Sequence, residues 1–398
     1  MDKIEEVKEY LRQEKKDAWI MVDYENRNST LVSFLGNKML TRKIFLVIPR
    51  EGRPYLITHS IDTVFLNVED VTSRFDLKVY HTWKEMLEIE KECFSSYQEV
   101  IMDISEYGLL PRVSLADYGS VDYIKKLGIN ISSSGDILER FSALYDKKAY
   151  EGQVLACNKA LQIKDEAFNL IREDILSQGY SDEYRIQKFI CDRFHEEGMV
   201  YDDPAIVAVN TNASNPHYGP TQDIHSPIHE GDVVLIDMWA KMDREDGVYA
   251  DITWMGYVGE SVPANVEERF QILRKAIDDS FDFIKENLPL RRVEGYEVDD
   301  VSREVVSKAG YGKYFTHRTG HNIAIDVSPH GPGVNIDNYE SHDTRAIIPG
   351  VTFSLEPGIY APDFGMRVET DVYIDENKNP VMVGGRQEHV IAIMKKSN

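Results

Sequence analysis

Residues 231–258 read Gly-Asp-Val-Val-Leu-Ile-Asp-Met-Trp-Ala-Lys-Met-Asp-Arg-Glu-Asp-Gly-Val-Tyr-Ala-Asp-Ile-Thr-Trp-Met-Gly-Tyr-Val. Two runs rich in β-branched and aromatic residues, 233–240 and 248–258, flank a charged segment that ends in Asp246-Gly247. This pattern predicts a β-hairpin. Because both runs are apolar at odd and even positions, we expect both faces of the hairpin to be covered.

Each run of this hairpin carries one carboxylate in its interior, Asp237 and Asp251. If the turn is centred near Arg244, each lies seven residues from the centre (244 − 237 and 251 − 244). The sequence then predicts that the two aspartates face each other directly across the ribbon. Buried like charges repel and lose hydration, so we expect a compensating cation beside them.

Composition places the chain among globular proteins. Its 398 residues exceed the usual size of one domain, and 42% hydrophobic and 28% charged residues are ordinary values. The net charge of −23 argues against nucleic acid or an anionic membrane as a partner. The three cysteines have no paired spacing, and neither a secretion signal nor an apolar run of membrane-spanning length is present, which favours a reduced, cytoplasmic protein.

The chain is predicted to contain two domains. Residues 1–142 alternate helix-like and strand-like segments, which indicates a small α/β domain, and they lack the Gly-rich loops that bind nucleotides. Residues 143–398 open with a long helical stretch over 147–177 and continue with further helices and several strands. This order predicts an α+β domain whose helices pack outside a curved antiparallel sheet.

Three further segments place metal-ligand residue types in apolar surroundings. They are Phe-Thr-His-Arg-Thr-Gly-His over 315–321, Val-Thr-Phe-Ser-Leu-Glu over 351–356 and Gly-Met-Arg-Val-Glu-Thr-Asp over 365–371. A continuous strand over 366–374 would put Arg367, Glu369 and Asp371 on one face. Each residue alone has an ordinary explanation, such as a turn glutamate, a packed histidine or a solvated strand face.

Taken together, these segments and the hairpin supply an oxygen-rich set of donors with one nitrogen: Asp237, Asp251, His321, Glu356 and Glu369. The four carboxylates are neutralised by two divalent ions, whereas one ion would leave a charge of about −2 in a covered pocket. A set without thiolate suits Mn²⁺, with Co²⁺ and Zn²⁺ also compatible. Such ions activate water near neutral pH and polarise a carbonyl, which points to hydrolysis of an amide or ester.

The motifs that carry these residues resemble those of the pita-bread metallopeptidases, which include methionine aminopeptidase, aminopeptidase P, prolidase and the metal-free creatinase. They are Leu-Ile-Asp237, Tyr-Ala-Asp251-Ile-Thr, His317-Arg-Thr-Gly-His321, Leu-Glu356-Pro-Gly and Arg367-Val-Glu369. The N-terminal domain is similar to the extra domain of the prolidase, aminopeptidase P and creatinase branch. The resemblance therefore implies a C-terminal pita-bread catalytic domain, a peptide substrate cut between its N-terminal residue and proline, and a homodimer.

The same resemblance implies roles for individual residues. Asp237, Asp251, His321, Glu356 and Glu369 would ligate two metal ions, and a hydroxide bridging the ions would attack the scissile carbonyl. Asp251 and Glu369 would bridge the ions, and Glu356 would handle the proton of the hydroxide.

Two histidines are expected to act on the substrate. His217 matches the family's substrate-side histidine, although an ordinary loop histidine also fits. Ser328 stands where the family has its second histidine, so a two-residue insertion would give His330 the task of stabilising the tetrahedral intermediate. An exposed loop histidine is the alternative for His330.

Some features leave alternatives open. Arg367 would either bind a substrate carboxylate or pair with Asp371 to hold the strand. The spacing of fourteen between the two aspartates (251 − 237) is longer than we expect for the family, and Trp254 stands where the family commonly has arginine. A creatinase-like, metal-independent C–N hydrolase, a non-catalytic binding protein and a purely structural metal site remain as rival interpretations.

Overall fold

The structure is a computed structural model that describes residues 3–325 and 328–395. Residues 1–2 of the first predicted domain, and residues 326–327 and 396–398 of the second, therefore lie outside the described residues. The chain divides into two compact units, Met1–Ser142 and Ala143–Asn398.

The N-terminal unit contains a mixed sheet flanked by helices. Its strands are β1 (Ala18–Asp23), β2 (Ile44–Pro49), β3 (Tyr55–His59), β4 (Asp76–Tyr80), β5 (Glu99–Met102) and β6 (Asn130–Ser133), in the order β4-β3-β2-β1-β5-β6. Its helices are α1 (Lys3–Gln13), α2 (Ser29–Phe34), α3 (Thr63–Leu66), α4 (Glu69–Thr72), α5 (Trp83–Phe94), α6 (Tyr118–Lys126) and α7 (Gly135–Ser142).

The central strand β1 explains why this sheet is covered on both faces. It runs antiparallel to β2 and parallel to β5, and all six of its residues are buried. Trp19 and Met21 pack into one apolar cluster, whereas Ile20 and Val22 pack into another on the opposite face. A strand that is buried at every position lies between two layers, which agrees with the predicted α/β class.

The C-terminal unit carries longer helices and several small sheets. Its helices are α8 (Lys147–Gln178), α9 (Glu183–Glu196), α10 (Ala264–Asn287) and α11 (Gly295–Lys308). Its strands are β7 (Ser181–Asp182), β8 (Met199–Val200), β9 (Ile206–Val209), β10 (Pro227–Ile228), β11 (Val233–Met242), β12 (Ala250–Tyr257), β13 (Thr352–Leu355), β14 (Gly358–Tyr360), β15 (Gly365–Arg367), β16 (Thr370–Ile374), β17 (Pro380–Met382) and β18 (Ile391–Ala392).

Local signals set the limits of the long helices. The Asp146 carboxylate accepts a hydrogen bond from the Ala149 N–H at 2.9 Å and caps the start of α8. The same helix is terminated by the residue that follows it, Gly179, whose φ of 88° is the left-handed conformation that glycine adopts without strain. Among the helices of the described residues, none combines the length and apolarity that crossing a membrane requires.

The hairpin of β11 and β12 has two different faces. Val234, Ile236 and Met238 face an apolar cluster formed with α8 and α9. Val233 and Leu235, on the other face, belong to the cluster that includes α10 and α11. The helices therefore lie outside the sheet, and the predicted fold class is confirmed. Asp237 follows on this second face.

The pairing predicted for the two aspartates is wrong. In the hairpin, Asp237 lies opposite Thr253 and Asp251 lies opposite Trp239, so the aspartates share a face but are diagonal neighbours. The ribbon is centred at residue 245 ((237 + 253)/2), one residue later than predicted, and a shift of one in the centre changes every pair by two. The pairing of β11 with β12 ends at Ala240, and the last two residues of β11, Lys241 and Met242, pair with β8 instead.

The strand predicted over 366–374 is interrupted. Strands β15 and β16 belong to different sheets, and between them Glu369 forms an isolated bridge with Thr253 of β12. The Glu369 N–H donates to the Thr253 carbonyl at 3.1 Å, so the chain turns toward the hairpin at this point. Arg367 and Glu369 consequently both bond to the Thr253 hydroxyl, whereas Asp371 accepts from the Asp251 N–H, so the three residues do not form one continuous strand face.

Candidate active site

A cavity of about 770 Å³ opens on the face of the hairpin that carries the two aspartates. All the site residues predicted from sequence line it: Asp237, Asp251, His321, Glu356, Glu369, His217, His330 and Arg367. These residues come from separate segments of the chain, and the fold brings them to one place.

Three of the predicted ligands form the tightest group. Asp251, His321 and Glu369 are buried, and each offers a donor atom within 4.8 Å of those of the other two. Burial, with the nearby Glu369 and Asp237 carboxylates, raises the pKa of Asp251 well above its usual value. Burial, with Glu356 and Asp237, likewise raises the pKa of Glu369. A group of acids that resist ionisation when buried together favours a bound cation.

His321 is oriented as a metal ligand would be. Its Nδ1 lies 3.1 Å from the carbonyl oxygen of Asn322, so Nδ1 carries the proton and donates it. Burial lowers the pKa of His321 well below its usual value, which keeps the ring neutral. Its Nε2 lone pair then faces Asp251 Oδ2 at 3.5 Å and Glu356 Oε1 at 3.6 Å. Three electron-rich atoms facing one another leave a position that suits a cation.

Glu356 lies beside this group and is held by a serine. The Ser354 hydroxyl donates to Glu356 Oε1 at 3.2 Å and accepts the N–H of His321 at 3.1 Å. Burial raises the pKa of Glu356 to about 7, although Arg367 and Arg318 favour its ionised form. A carboxyl group with this pKa exchanges protons readily near neutral pH.

Asp237 is tied to Arg367. The Arg367 Nη2 donates to Asp237 Oδ2, its Nε donates to the Thr253 hydroxyl at 3.2 Å, and its Nη1 donates to the Tyr360 hydroxyl at 2.9 Å. The alternative in which Arg367 pairs with Asp371 is therefore wrong. That Arg367 binds a substrate carboxylate stays a prediction. In this structure, its Nε, Nη1 and Nη2 each donate to a group of the protein.

The hydrogen bonds of Arg367 continue into a row of oriented groups. The Tyr360 hydroxyl donates to His317 Nε2 at 2.6 Å, because His317 Nδ1 donates to the carbonyl of Arg318 at 2.6 Å. Burial, followed by the positive charge of Arg367, lowers the pKa of His317 to about 3, so the ring is neutral. The row fixes the guanidinium that holds Asp237.

Asp371 supports the site from behind. Its Oδ2 accepts the backbone N–H of Asp251 at 3.0 Å and also accepts from Gln153 at 3.4 Å and from the Cys157 thiol at 3.4 Å. Asp371 does not line the cavity. It therefore fixes the backbone position of a predicted ligand.

The two histidines assigned to the substrate lie at the open side of the cavity. His217 is exposed and its N–H donates to Asn215 Oδ1 at 3.2 Å. His330 is exposed at the side chain, and its ring centroid lies 4.0 Å from that of His321. Their placement allows contact with a bound molecule, and their roles stay predictions.

Sequence reasoning overlooked several residues around the cavity. Thr253 lies two residues from Asp251 on the same face of β12, and its hydroxyl donates to Glu369 Oε2 at 2.7 Å. Tyr360 lies four residues after Glu356, and Trp239 lies two after Asp237 and opposite Asp251. The period of two along each strand was the signal that could have identified Thr253 and Trp239.

Trp254 lies on the other face of β12, among the residues that pack against α8. The Lys164 Nζ lies 3.7 Å from the centroid of its ring. The departure from the family pattern at this position therefore concerns the helix-packed face, and Trp254 does not line the cavity.

The donors present fit divalent metal ions. Carboxylate oxygens and one imidazole nitrogen converge, and burial, with the repulsion between neighbouring carboxylates, raises the pKa values of Asp251 and Glu369. This is the chemistry of a hard or borderline cation site.

Comparison with known proteins decides the family. Residues 156–376, more than half of the 398-residue chain, match the family model of metallopeptidase family M24. The chain belongs to metallopeptidase family M24. The resemblance drawn from the motifs is thereby confirmed.

Other M24-like proteins show how far the similarity reaches. An Xaa-Pro dipeptidase of Lactobacillus helveticus is 28% identical over 246 residues, which span 60% of this chain and 59% of that relative. The dipeptidase PepE of Mycobacterium ulcerans is 18% identical with a TM-score of 0.64, over 98% of this chain and 97% of that one. An X-prolyl aminopeptidase of Caenorhabditis elegans is 15% identical with a TM-score of 0.58, over 96% of this chain and 61% of that one. At such low identities, the similarity to these two solved structures shows that this chain has the same fold and no more.

Proposed function

We propose that this M24 protein is a metal-dependent peptidase that hydrolyses the bond between an N-terminal residue and proline. The observation that carries the proposal is the His321 Nε2 lone pair, which faces Asp251 and Glu356 with Glu369 close by. The preference for proline is supported by the Lactobacillus helveticus Xaa-Pro dipeptidase and the Caenorhabditis elegans X-prolyl aminopeptidase.

Two metal ions fit the cluster better than one. Asp237, Asp251, Glu356 and Glu369 carry four potential negative charges, and Arg367 contacts Asp237 from the side. The Caenorhabditis elegans enzyme is described as having a di-nuclear active site. Asp251, His321, Glu356 and Glu369, with Asp237, would hold the ions, Mn²⁺ first among them. When bound, such ions polarise a carbonyl oxygen and make a water molecule more acidic.

The side chains of this protein would move the proton and steady the substrate. Glu356, which lines the cavity beside His321, accepts a proton from the attacking water and delivers it to the leaving proline nitrogen. His217 and His330, at the open side of the cavity, donate to the carbonyl oxygen as negative charge develops there. Arg367 and Tyr360 keep Asp237 in place.

We also propose that the protein works as a homodimer in the cytoplasm. The family resemblance supports the dimer, and the Caenorhabditis elegans relative is described as cytosolic. Sedimentation equilibrium tests the assembly, because a single species of 45.7 kDa would exclude a dimer.

The activity is tested with the dipeptide Ala-Pro. Protein stripped with a chelator should be inactive, and Mn²⁺ should restore turnover to the wild type but not to Asp251→Asn. Asp223→Asn, which changes an exposed aspartate, serves as the matched control and should behave as the wild type. Turnover by metal-free wild type that persists in the presence of chelator would instead favour the creatinase-like hydrolase, and metal binding without turnover would favour a structural metal.

A further inference from the structure

The cavity contains an arginine that the proposed chemistry does not use. Among the described residues that line it, the guanidinium groups belong to Arg318 and Arg367. Arg367 is buried and donates to Asp237, Thr253 and Tyr360. Arg318 therefore remains as the cation that a ligand could reach.

Arg318 is held at the cavity by its backbone. Its carbonyl accepts from His317 Nδ1 at 2.6 Å, and its N–H donates to Glu340 Oε1 at 3.1 Å. These bonds fix the start of the side chain next to the His317–Tyr360 row. The side chain itself is 21% exposed, so it is partly buried but still accessible from the cavity.

Within the described part of the chain, the guanidinium of Arg318 makes one ion pair. Its Nη1 lies 3.4 Å from Glu340 Oε2, a long contact to a carboxylate that is 44% exposed. A guanidinium carries five N–H donors in a planar fork. Most of its capacity to bind a second carboxylate in a bidentate manner is therefore available.

The charged residues that line the cavity act in opposite directions on a bound carboxylate. Its positive charge favours the ionised form of Glu356 and opposes protonation of His321, so the group acts on the site itself. Asp202 and Asp203 also line the cavity, and the Trp239 indole N–H donates to Asp202 at 2.7 Å. A carboxylate would be repelled by those aspartates and attracted to Arg318.

We propose that Arg318 binds a carboxylate of the substrate, beside or in place of Glu340. The inference rests on the proposed function only for the identity of the ligand as a short peptide. Two peptide groups have this chemistry: the C-terminal carboxylate of an Xaa-Pro dipeptide, and the side chain of an acidic N-terminal residue. Recognition of the first would make the protein a dipeptidase and would disfavour longer peptides.

Equilibrium binding tests the proposal without relying on turnover. The probes are Ala-Pro analogues in which the carbonyl of the scissile bond is reduced to CH₂, so that a CH₂–N bond joins alanine to the proline ring, with either a free carboxylate or a carboxamide at the C-terminus. Titration calorimetry on the Mn²⁺-loaded full chain should show that the wild type binds the acid at least about tenfold more tightly than the amide, as expected for a charge-assisted bidentate pair. Arg318→Met should remove that preference, and Arg318→Lys should keep part of it.

A second pair of probes identifies the source of the carboxylate. If the acidic side chain is the ligand, the wild type should instead prefer a Glu-Pro-amide analogue to the Gln-Pro-amide analogue, and Arg318→Met should remove this preference. Glu340→Gln should strengthen binding of the preferred probe, because a competing carboxylate is gone. Arg27→Met, at an arginine whose side chain is 78% exposed in the N-terminal unit, is the control and should keep the wild-type preferences.

The outcomes separate the two proposals. Equal binding of acid and amide by the wild type in both pairs, or a preference that survives Arg318→Met, overturns the role of Arg318. Selective carboxylate binding that depends on Arg318, in a protein that hydrolyses no Xaa-Pro peptide, upholds the role of Arg318 and overturns the proposed reaction. Thermal unfolding of each variant verifies that Arg318→Met is folded, and Arg318→Lys provides the test if it is not.

Discussion

Buried carboxylates occur in both units of this protein, but their surroundings differ. In the N-terminal unit, Asp103 accepts from the Trp19 indole N–H at 3.0 Å and from the Asn28 amide at 2.7 Å. In the C-terminal unit, Asp251 and Glu369 are equally hidden from solvent, but each faces other carboxylates. Burial raises the pKa of Asp103 as well, but the neutral donors around it oppose that rise, whereas a group of carboxylates needs a cation.

The contrast teaches how to separate a structural carboxylate from a candidate ligand. Burial alone does not distinguish Asp103 from Asp251, because both are at most 5% exposed. The partners do distinguish them. Glu90 is a third case, since it is buried in the N-terminal unit and its Oε1 has no hydrogen-bond partner.

The largest expected effect comes from removing a ligand. Asp251→Asn should lower turnover of Ala-Pro by roughly a thousandfold or more, because polarisation by metal is worth several kcal/mol. The same variant should lose the rise in Tm that Mn²⁺ gives the wild type. Steady-state kinetics and thermal unfolding with graded Mn²⁺ measure both. If Asp251→Asn kept wild-type turnover, Asp251 would be a structural carboxylate like Asp103 and not a metal ligand.

The next effect concerns stability alone. Asp103→Ala should lower the free energy of unfolding of the N-terminal unit by about 3 kcal/mol, because the Trp19 and Asn28 donors are left without their acceptor. Urea unfolding followed by tryptophan fluorescence reports the change. Metal content and kcat of the folded protein should not change, and a loss of metal binding would contradict a purely structural role.

Glu90 gives a pH dependence with a defined sign. Burial raises the pKa of Glu90 to about 7 from 4.5, although Lys43 favours its ionised form. Between these pH values the unfolded chain has lost the proton and the folded one keeps it, so stability falls as pH rises toward 7 and then levels off. Glu90→Gln should therefore be more stable than the wild type by about 3 kcal/mol at pH 8 and by nothing at pH 4, because the pKa difference (7 − 4.5) is worth about 1.4 kcal/mol per unit. Urea unfolding at the two pH values measures it, and a gain that is equal at both would contradict the assignment.

The smallest effect is expected when one carboxylate of the metal-free cluster is replaced by a neutral amide. In chelator-treated protein at pH 7, Asp251→Asn should change the free energy of unfolding by less than about 1 kcal/mol and in the stabilising direction. The reason is that burial beside Glu369 and Asp237 raises the pKa of Asp251, so its negative charge is unfavourable in the metal-free site and a neutral amide relieves the repulsion. Differential scanning calorimetry gives the value. A loss as large as that of Asp103→Ala would show that the two aspartates are stabilised alike.

Sequence could predict which residues meet at the cavity because each is a polar residue inside an apolar run. Asp237, Asp251, His321, Glu356 and Glu369 all line it. The fold class followed from the alternation of helices and strands and from two-sided apolar runs such as β1.

Sequence could not predict how these residues are paired. The register of Asp237 and Asp251 depends on where β11 leaves β12, and from Lys241 onward β11 pairs with β8, a strand distant in sequence. The partner of Arg367 depends on the interruption of the strand at Glu369, because a continuous strand would have placed it beside Asp371. Both are tertiary effects that the alternation of apolar and polar residues does not encode.

The bridge between Thr253 and Glu369 has a consequence for motion. Thr253 belongs to the sheet of β11 and β12, whereas Glu369 immediately precedes β16 of a different sheet, and they exchange hydrogen bonds at 3.1 Å and 2.7 Å. A cation held by Asp251 and Glu369 would fasten one sheet to the other at this point. Deuterium uptake by the Glu369 amide would then report occupancy, becoming slower as the ion loads, long before any product is formed.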